Sequence, residues 1–191
     1  MLILYLPSLI GGCAVYDYGC RLDGVVEKAV LKEDPNACKT FNGFVEERCY
    51  HLYSVQTMDY SACDNLAHPG QCRIEVAIAA EDVELCILIE SKTQREICLE
   101  GVAEAKGDIE ICNLIVPSGN LIDYRQACYQ KVAYATLNPE ICVDLLDSNV
   151  YCIRGVATRA KNLSICEDYL DHQPSIDDCK YYIERGDVPS F

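Results

Sequence analysis

Cys98-Leu99-Glu100-Gly101-Val102-Ala103-Glu104-Ala105-Lys106-Gly107-Asp108-Ile109-Glu110-Ile111-Cys112 is one unit of an internal repeat, and its two cysteines stand fourteen positions apart. The same interval separates Cys49 from Cys63, Cys72 from Cys86, Cys128 from Cys142 and Cys152 from Cys166. Cys20 and Cys38 open the series with four extra residues, and Cys179 begins a unit that the end of the chain interrupts. The intervals between units vary from nine to sixteen, so a constant core alternates with variable joints. A fixed period of this kind marks a repeat architecture.

Within the unit, the residues after the first cysteine follow a helical stripe. Cys98 leads to Val102 and Ala103, Cys128 to Val132 and Ala133, Cys152 to Val156 and Ala157, and Cys72 to Val76 and Ala77. Apolar residues at the cysteine and one turn later share a helix face. The small residue five positions on (Ser54, Ala77, Ala103, Ala133, Ala157) lets a second element approach closely. Four residues before each second cysteine stands Asp34, Asp59, Asp82, Asp108, Asn138 or Asn162. Short side-chain oxygens there suit helix N-caps, and Pro35 and Pro139 follow at the position where proline is best tolerated. An apolar or aromatic residue (Phe41, Leu66, Ile89, Ile115, Leu145, Tyr169) then follows each second cysteine by three. The unit therefore reads as a long helix, a tight turn and a short second helix. The fold class is all-α.

The joints select the cysteine pairing. Facing residues of two antiparallel segments lie about equally far from the connecting turn. The midpoints between each second cysteine and the next first cysteine fall at Asn42-Gly43-Phe44, Ala67-His68-Pro69, Lys92, Asn120, Asp147 and His172-Gln173-Pro174. Gly, Pro, Asn and Ser crowd these places, as turns require. Pairing within a unit puts the midpoints on Ala79, Ala105, Ala135 and Arg159, inside the long helix, where a bridge cannot span. The expected disulfides are Cys38–Cys49, Cys63–Cys72, Cys86–Cys98, Cys112–Cys128, Cys142–Cys152 and Cys166–Cys179. Cys13 and Cys20 either pair together or are separated by lipidation of Cys13.

Fourteen cysteines in 191 residues point to an oxidising compartment. No C-x-x-C or paired-histidine spacing supports zinc, haem or iron–sulfur ligation. The apolar start ending in Ile10-Gly11-Gly12-Cys13 looks like a lipoprotein signal with its lipobox. It lacks a preceding Lys or Arg, and it is short. Residues 1–13 are read as this segment and 14–191 as one repeat domain, with Cys13 as the lipidation site. A net charge of −14 excludes nucleic acid, which demands clustered Lys and Arg. Membrane association is expected only through the anchor at Cys13.

The Asp34-Pro35-Asn36-Ala37-Cys38 and Cys98-x-x-x-Val102-Ala103 patterns are similar to uncharacterised cysteine-rich repeats of exported archaeal proteins. From about Val15 to Gly186 the helical-hairpin arrangement also resembles tetratricopeptide-type arrays, more closely their disulfide-stapled extracytoplasmic relatives. The unit of about 26 residues is shorter than their 34. The resemblance implies a right-handed α-solenoid of about six and a half short hairpins cross-linked by disulfides, and it carries no activity.

An exported cell-surface module that binds a protein partner or associates with itself is the leading functional expectation. Its candidate contacts are positions two and six after the first cysteine, where chemistry varies between units: His51, Glu104, Gln130, Tyr134 and Arg154. A structural subunit of an extracellular filament is an alternative, because open repeat ends can stack. A thiol-rich Cu(I) store is another, since soft thiolates select that ion. No catalytic residue, metal site or cofactor is expected, because no nucleophile, phosphate-loop or H-E-x-x-H motif occurs. Asn162-Leu163-Ser164 is an N-glycosylation sequon whose asparagine is equally explained as an N-cap.

Overall fold

A computed structural model describes residues 18–117, 123–143, 145 and 149–186. The lipobox-like segment, with Cys13, lies outside the described residues, and Cys20 lies in the first turn of the first helix. All regular structure among the described residues is helical, without strands. The chain divides into two compact units, residues 1–72 and 73–191.

The first unit contains α1 (Tyr18–Lys32) and α2 (Phe44–Thr57), each followed by a single stretch of 3₁₀ helix, Pro35–Thr40 and Tyr60–Asn65. Helix α3 (Pro69–Ala79) begins in the first unit and ends in the second. The second unit continues with α4 (Val83–Ile87), α5 (Lys92–Lys106), a 3₁₀ stretch (Ile109–Leu114), α6 (Tyr124–Thr136) and α7 (Glu140–Val143). It closes with α8 (Asn149–Ala160), α9 (Ser164–Tyr169) and α10 (Gln173–Arg185). Long helices thus alternate with short segments, and in both units long helices pack on the short segments that precede and follow them.

One local device turns each long helix into its short segment. The residue nine positions after the cysteine of α2, α3, α5, α6 and α8 is left-handed: Met58, Glu81, Gly107, Leu137 and Lys161, with φ between 52° and 65°. Glu33 does the same after α1. The next residue, always the Asp or Asn, donates its backbone N–H to the carbonyl five residues back. The acceptors are Ala29, Ser54, Ala77, Ala103, Ala133 and Ala157, at 3.0–3.1 Å. This closes the helix C-terminus in the Schellman manner. The Asp or Asn side chain then caps the following segment. Its Oδ1 accepts from the backbone N–H two residues on in all six cases, at 2.9–3.1 Å. A single residue therefore stops one helix and starts the next.

The short segments are tighter than the sequence suggests. Three are 3₁₀ rather than α, and the others have only four to six residues. The cause is a reversal directly after the cysteine: in five of them its carbonyl accepts from the N–H three residues on, at Phe41, Leu66, Ile89, Ile115 and Leu145. A bond of that span winds the chain as a 3₁₀ turn.

Six disulfides then join each short segment to the next long helix: Cys38–Cys49, Cys63–Cys72, Cys86–Cys98, Cys112–Cys128, Cys142–Cys152 and Cys166–Cys179. Their Cα–Cα separations run from 5.5 to 6.0 Å, within ordinary disulfide geometry. All twelve cysteines are buried, in line with the helix stripe that carries them. In the second unit that stripe continues through Val76, Val102, Val132 and Val156, each wholly buried, with Ala77, Ala103, Ala133 and Ala157 beside them. The first unit places Tyr50, Tyr53 and Ser54 of α2 in the interior instead. Such short helices are marginal alone. Each bridge closes a loop of nine to sixteen residues and stabilises by about 2–3 kcal/mol on a chain-entropy model.

Candidate functional site

Variation two and six positions after the first cysteine suggests a ligand-binding face, and in the second unit the structure gives these positions internal work. They meet the residue three after the cysteine of the following long helix. Ile78 of α3 reaches Gly101 of α5, where an added Cβ would lie 2.3 Å from Ile78 Cδ1. Glu100 and Glu104 of α5 meet Lys131 of α6, with Nζ 2.5 Å from Glu100 and 3.9 Å from Glu104. Tyr134 of α6 lies against Gly155 of α8. Arg154 of α8 stacks over Tyr182 of α10, 4.3 Å from the ring centroid, and hydrogen-bonds Asp178 at 2.6 Å. The chemistry varies because each pair has its own complement: apolar on glycine, acid on lysine, ring on glycine, cation on ring.

Three of the five candidate contacts, Glu104, Tyr134 and Arg154, are therefore used between neighbouring helices. The Tyr134 ring is also covered by the Arg159 guanidinium, 4.0 Å from its centroid. Burial pushes the Tyr134 phenol above its ordinary value, against the opposing pull of Arg159 and Arg154. Gln130 is half-buried on α6, and His51 is half-buried on α2 in the first unit. Within the second unit, Glu104, Tyr134 and Arg154 are taken up by these contacts and do not form one exposed site with Gln130.

Exposed apolar side chains occur in the first unit (Leu31, Phe44, Met58), on long helices of the second (Ile97, Tyr151, Tyr181) and on the short segments of the second, where they follow the cysteines. Leu88 follows α4 and is 63% exposed; Leu114 ends the third 3₁₀ stretch at 50%, and Val143 ends α7 at 55%. Each sits one or two residues past a buried cysteine. Each also lies three or four residues after an exposed glutamate: Glu84, Glu110 and Glu140. That spacing puts acid and apolar side chain on the same side of a helical turn. Ile87, at 50%, and Val116, at 65%, extend the apolar surface. The sequence held this signal in apolar residues two after Cys86 and Cys112 and one after Cys142. It was masked by the apolar residue three after the cysteine, which is the buried one at Ile89, Ile115 and Leu145.

The twelve cysteines of the six described bridges are oxidised and carry no thiolate for a soft metal. Among the described residues no group of three or more His, Cys, Asp or Glu is placed to hold a metal ion. Nor is any helix among them long and apolar enough to cross a membrane. Asn162 is exposed and acts as a cap, its Oδ1 accepting from the Ser164 N–H at 3.1 Å and from the Ser164 hydroxyl at 3.0 Å. Six buried disulfides mark a protein of an oxidising, non-cytoplasmic compartment. Comparison of the chain with models of protein families, with curated proteins and with solved structures finds no match.

Proposed function

We propose that this chain is an exported interaction module of the cell surface, without a catalytic role, that binds a protein partner through the short segments of its second unit. The observation that carries this reading is an exposed apolar side chain one or two residues past the cysteine in three consecutive hairpins: Leu88, Leu114 and Val143. Scattered exposed apolar residues are ordinary, but a repeated set on a rigid scaffold is a feature of interaction surfaces. Disulfides beside each of these residues fix the backbone, so binding would order little further chain. A lipid anchor at Cys13 would hold the module at the membrane surface with its repeats facing outward.

The test is recovery of a partner from an envelope extract of the source cells. The wild-type chain is compared with the triple variant Leu88→Asp, Leu114→Asp, Val143→Asp, both checked for native circular dichroism. A protein retained by the first and lost by the second supports the reading. One held equally by both puts the contact elsewhere, and none held by either removes the interaction role.

A further inference from the structure

The chemistry of the same strip narrows the partner, and this step rests on the reading just given. In the second unit, the described short segments and their caps, residues 82–90, 108–117, 138–143 and 162–171, contain neither Lys nor Arg. The unit's described cations stand on the long helices or at their ends, several already engaged: Lys131 with Glu100, Arg154 with Asp178, Lys180 with Glu167. The charges carried by these segments are thus all acidic, among neutral polar residues such as Asn113, which donates to Glu110 at 3.0 Å, and three of the segments combine an exposed glutamate with an exposed apolar side chain. By their spacing Glu84 shares a side of the turn with Leu88, Glu110 with Leu114 and Glu140 with Val143, in three of the four segments; the fourth has Ser164 and Asp168 at the corresponding positions.

Charge decides among the occupants such a face could take. A second copy would bring acid against acid on a chain of net charge −14, and an anionic lipid surface would be repelled likewise. A partner that offers cations with apolar side chains between them meets both features at once. Long helices α5, α6, α8 and α10 contact one another in sequence, and packed helices lie about 8–10 Å apart. An extended chain advances about 3.3 Å per residue. A ligand extended across the hairpins at that helix spacing would offer about three residues to each.

We propose that the strip formed by Glu84 with Leu88, Glu110 with Leu114 and Glu140 with Val143 binds a cationic amphipathic segment of the partner protein. The segment would be extended across the hairpins, with one basic and one apolar side chain for each.

The experiment measures binding of a labelled synthetic peptide repeating Lys-Leu-Ser, by fluorescence anisotropy at low and physiological salt. Two control peptides repeat Glu-Leu-Ser and Lys-Ser-Ser. The Lys-Leu-Ser peptide should bind, weaken with salt, and outcompete both controls. The triple variant E84K, E110K, E140K should weaken it at least about tenfold. A charge-matched variant in the first unit, E27K, E33K, E47K, should change it less than about twofold. Equal loss in both variants means bulk acidity alone attracts the peptide, and that overturns the proposal. So does equal binding of the Lys-Ser-Ser peptide, or no binding of the Lys-Leu-Ser peptide. If the peptide fails while the aspartate variant above still loses its partner, the interaction face stands and only its cationic ligand is wrong. If both fail, the functional reading falls with it.

Discussion

The Tyr134 ring occupies the space that a side chain on Gly155 would need: a Cβ built there would lie 2.5 Å from Cε1 and 2.6 Å from the hydroxyl oxygen. The ring is sandwiched, with the Arg159 guanidinium on its face, so it has little room to retreat. Glycine in mid-helix ordinarily costs about 1 kcal/mol relative to alanine. Its presence in α8 is therefore a consequence of the tyrosine on α6. We expect Gly155→Ala to destabilise the protein by about 1–3 kcal/mol, as overpacking does. With Tyr134→Ala in place, the same change should instead stabilise by up to about 1 kcal/mol. A double-mutant cycle in denaturant reads the reversal of sign, and a loss of stability in both backgrounds contradicts the packing described here.

Gly101 provides a graded comparison. Its hypothetical Cβ meets the flexible Ile78 side chain alone, at 2.3 Å from Cδ1 and 2.8 Å from Cγ1. An aliphatic tip can change rotamer where a clamped ring cannot. Gly101→Ala should cost less than Gly155→Ala, measured by chemical unfolding of both variants side by side.

Five of the six left-handed turn residues are not glycine, and one of them is Leu137, exposed, with φ 54°. A branched side chain in that region costs roughly 1 kcal/mol that glycine avoids. Leu137→Gly should therefore raise stability by about 0.5–1 kcal/mol, whereas Gly107→Ala, at φ 65°, should lower it. Unchanged melting temperatures in both would argue against the left-handed closure of these helices.

The capping aspartates offer a third mutational handle. Asp108 accepts from the Glu110 N–H at 3.0 Å and its own N–H closes α5 on Ala103. Asp108→Ala removes only the side-chain half of this arrangement. We expect a loss of about 0.5–2 kcal/mol and partial rescue by Asn, which already serves at Asn138 and Asn162.

Alkaline pH supplies a test that needs no variant. Burial raises the phenols of Tyr50, Tyr53 and Tyr134 above the ordinary tyrosine value near 10. A raised acid keeps its proton longer in the folded state, so this contribution is complete below pH about 10. It is lost as pH climbs through the folded values. Thermal stability should fall in that window, and the tyrosinate absorbance of the folded protein should lag behind that of the unfolded chain.

How much of this could be read in advance depended on whether the signal was local. Cysteine spacing and the Asp or Asn four residues before each second cysteine involve turns of a few residues. Pairing and caps therefore followed from the sequence alone. The left-handed turns were hidden because Glu33, Met58, Glu81, Leu137 and Lys161 carry no glycine to announce them. The variable positions were legible as variable but not as internal. Tyr134 makes sense only beside Gly155, and Glu100 only beside Lys131, partners that lie one whole unit away in the chain. Leu88, Leu114 and Val143 escaped because segments of four to six residues are too short for periodicity to separate buried from exposed apolar side chains.

The alternation of long helix, capped short segment and disulfide is tested most directly by mapping the bridges. The protein is unfolded without reductant, alkylated, digested and analysed by mass spectrometry. We predict that Cys38 to Cys179 resist alkylation and that cross-linked peptides join Cys86 to Cys98, Cys112 to Cys128 and Cys142 to Cys152. Peptides joining Cys98 to Cys112 or Cys128 to Cys142, or free thiols at these positions, would contradict the hairpin arrangement.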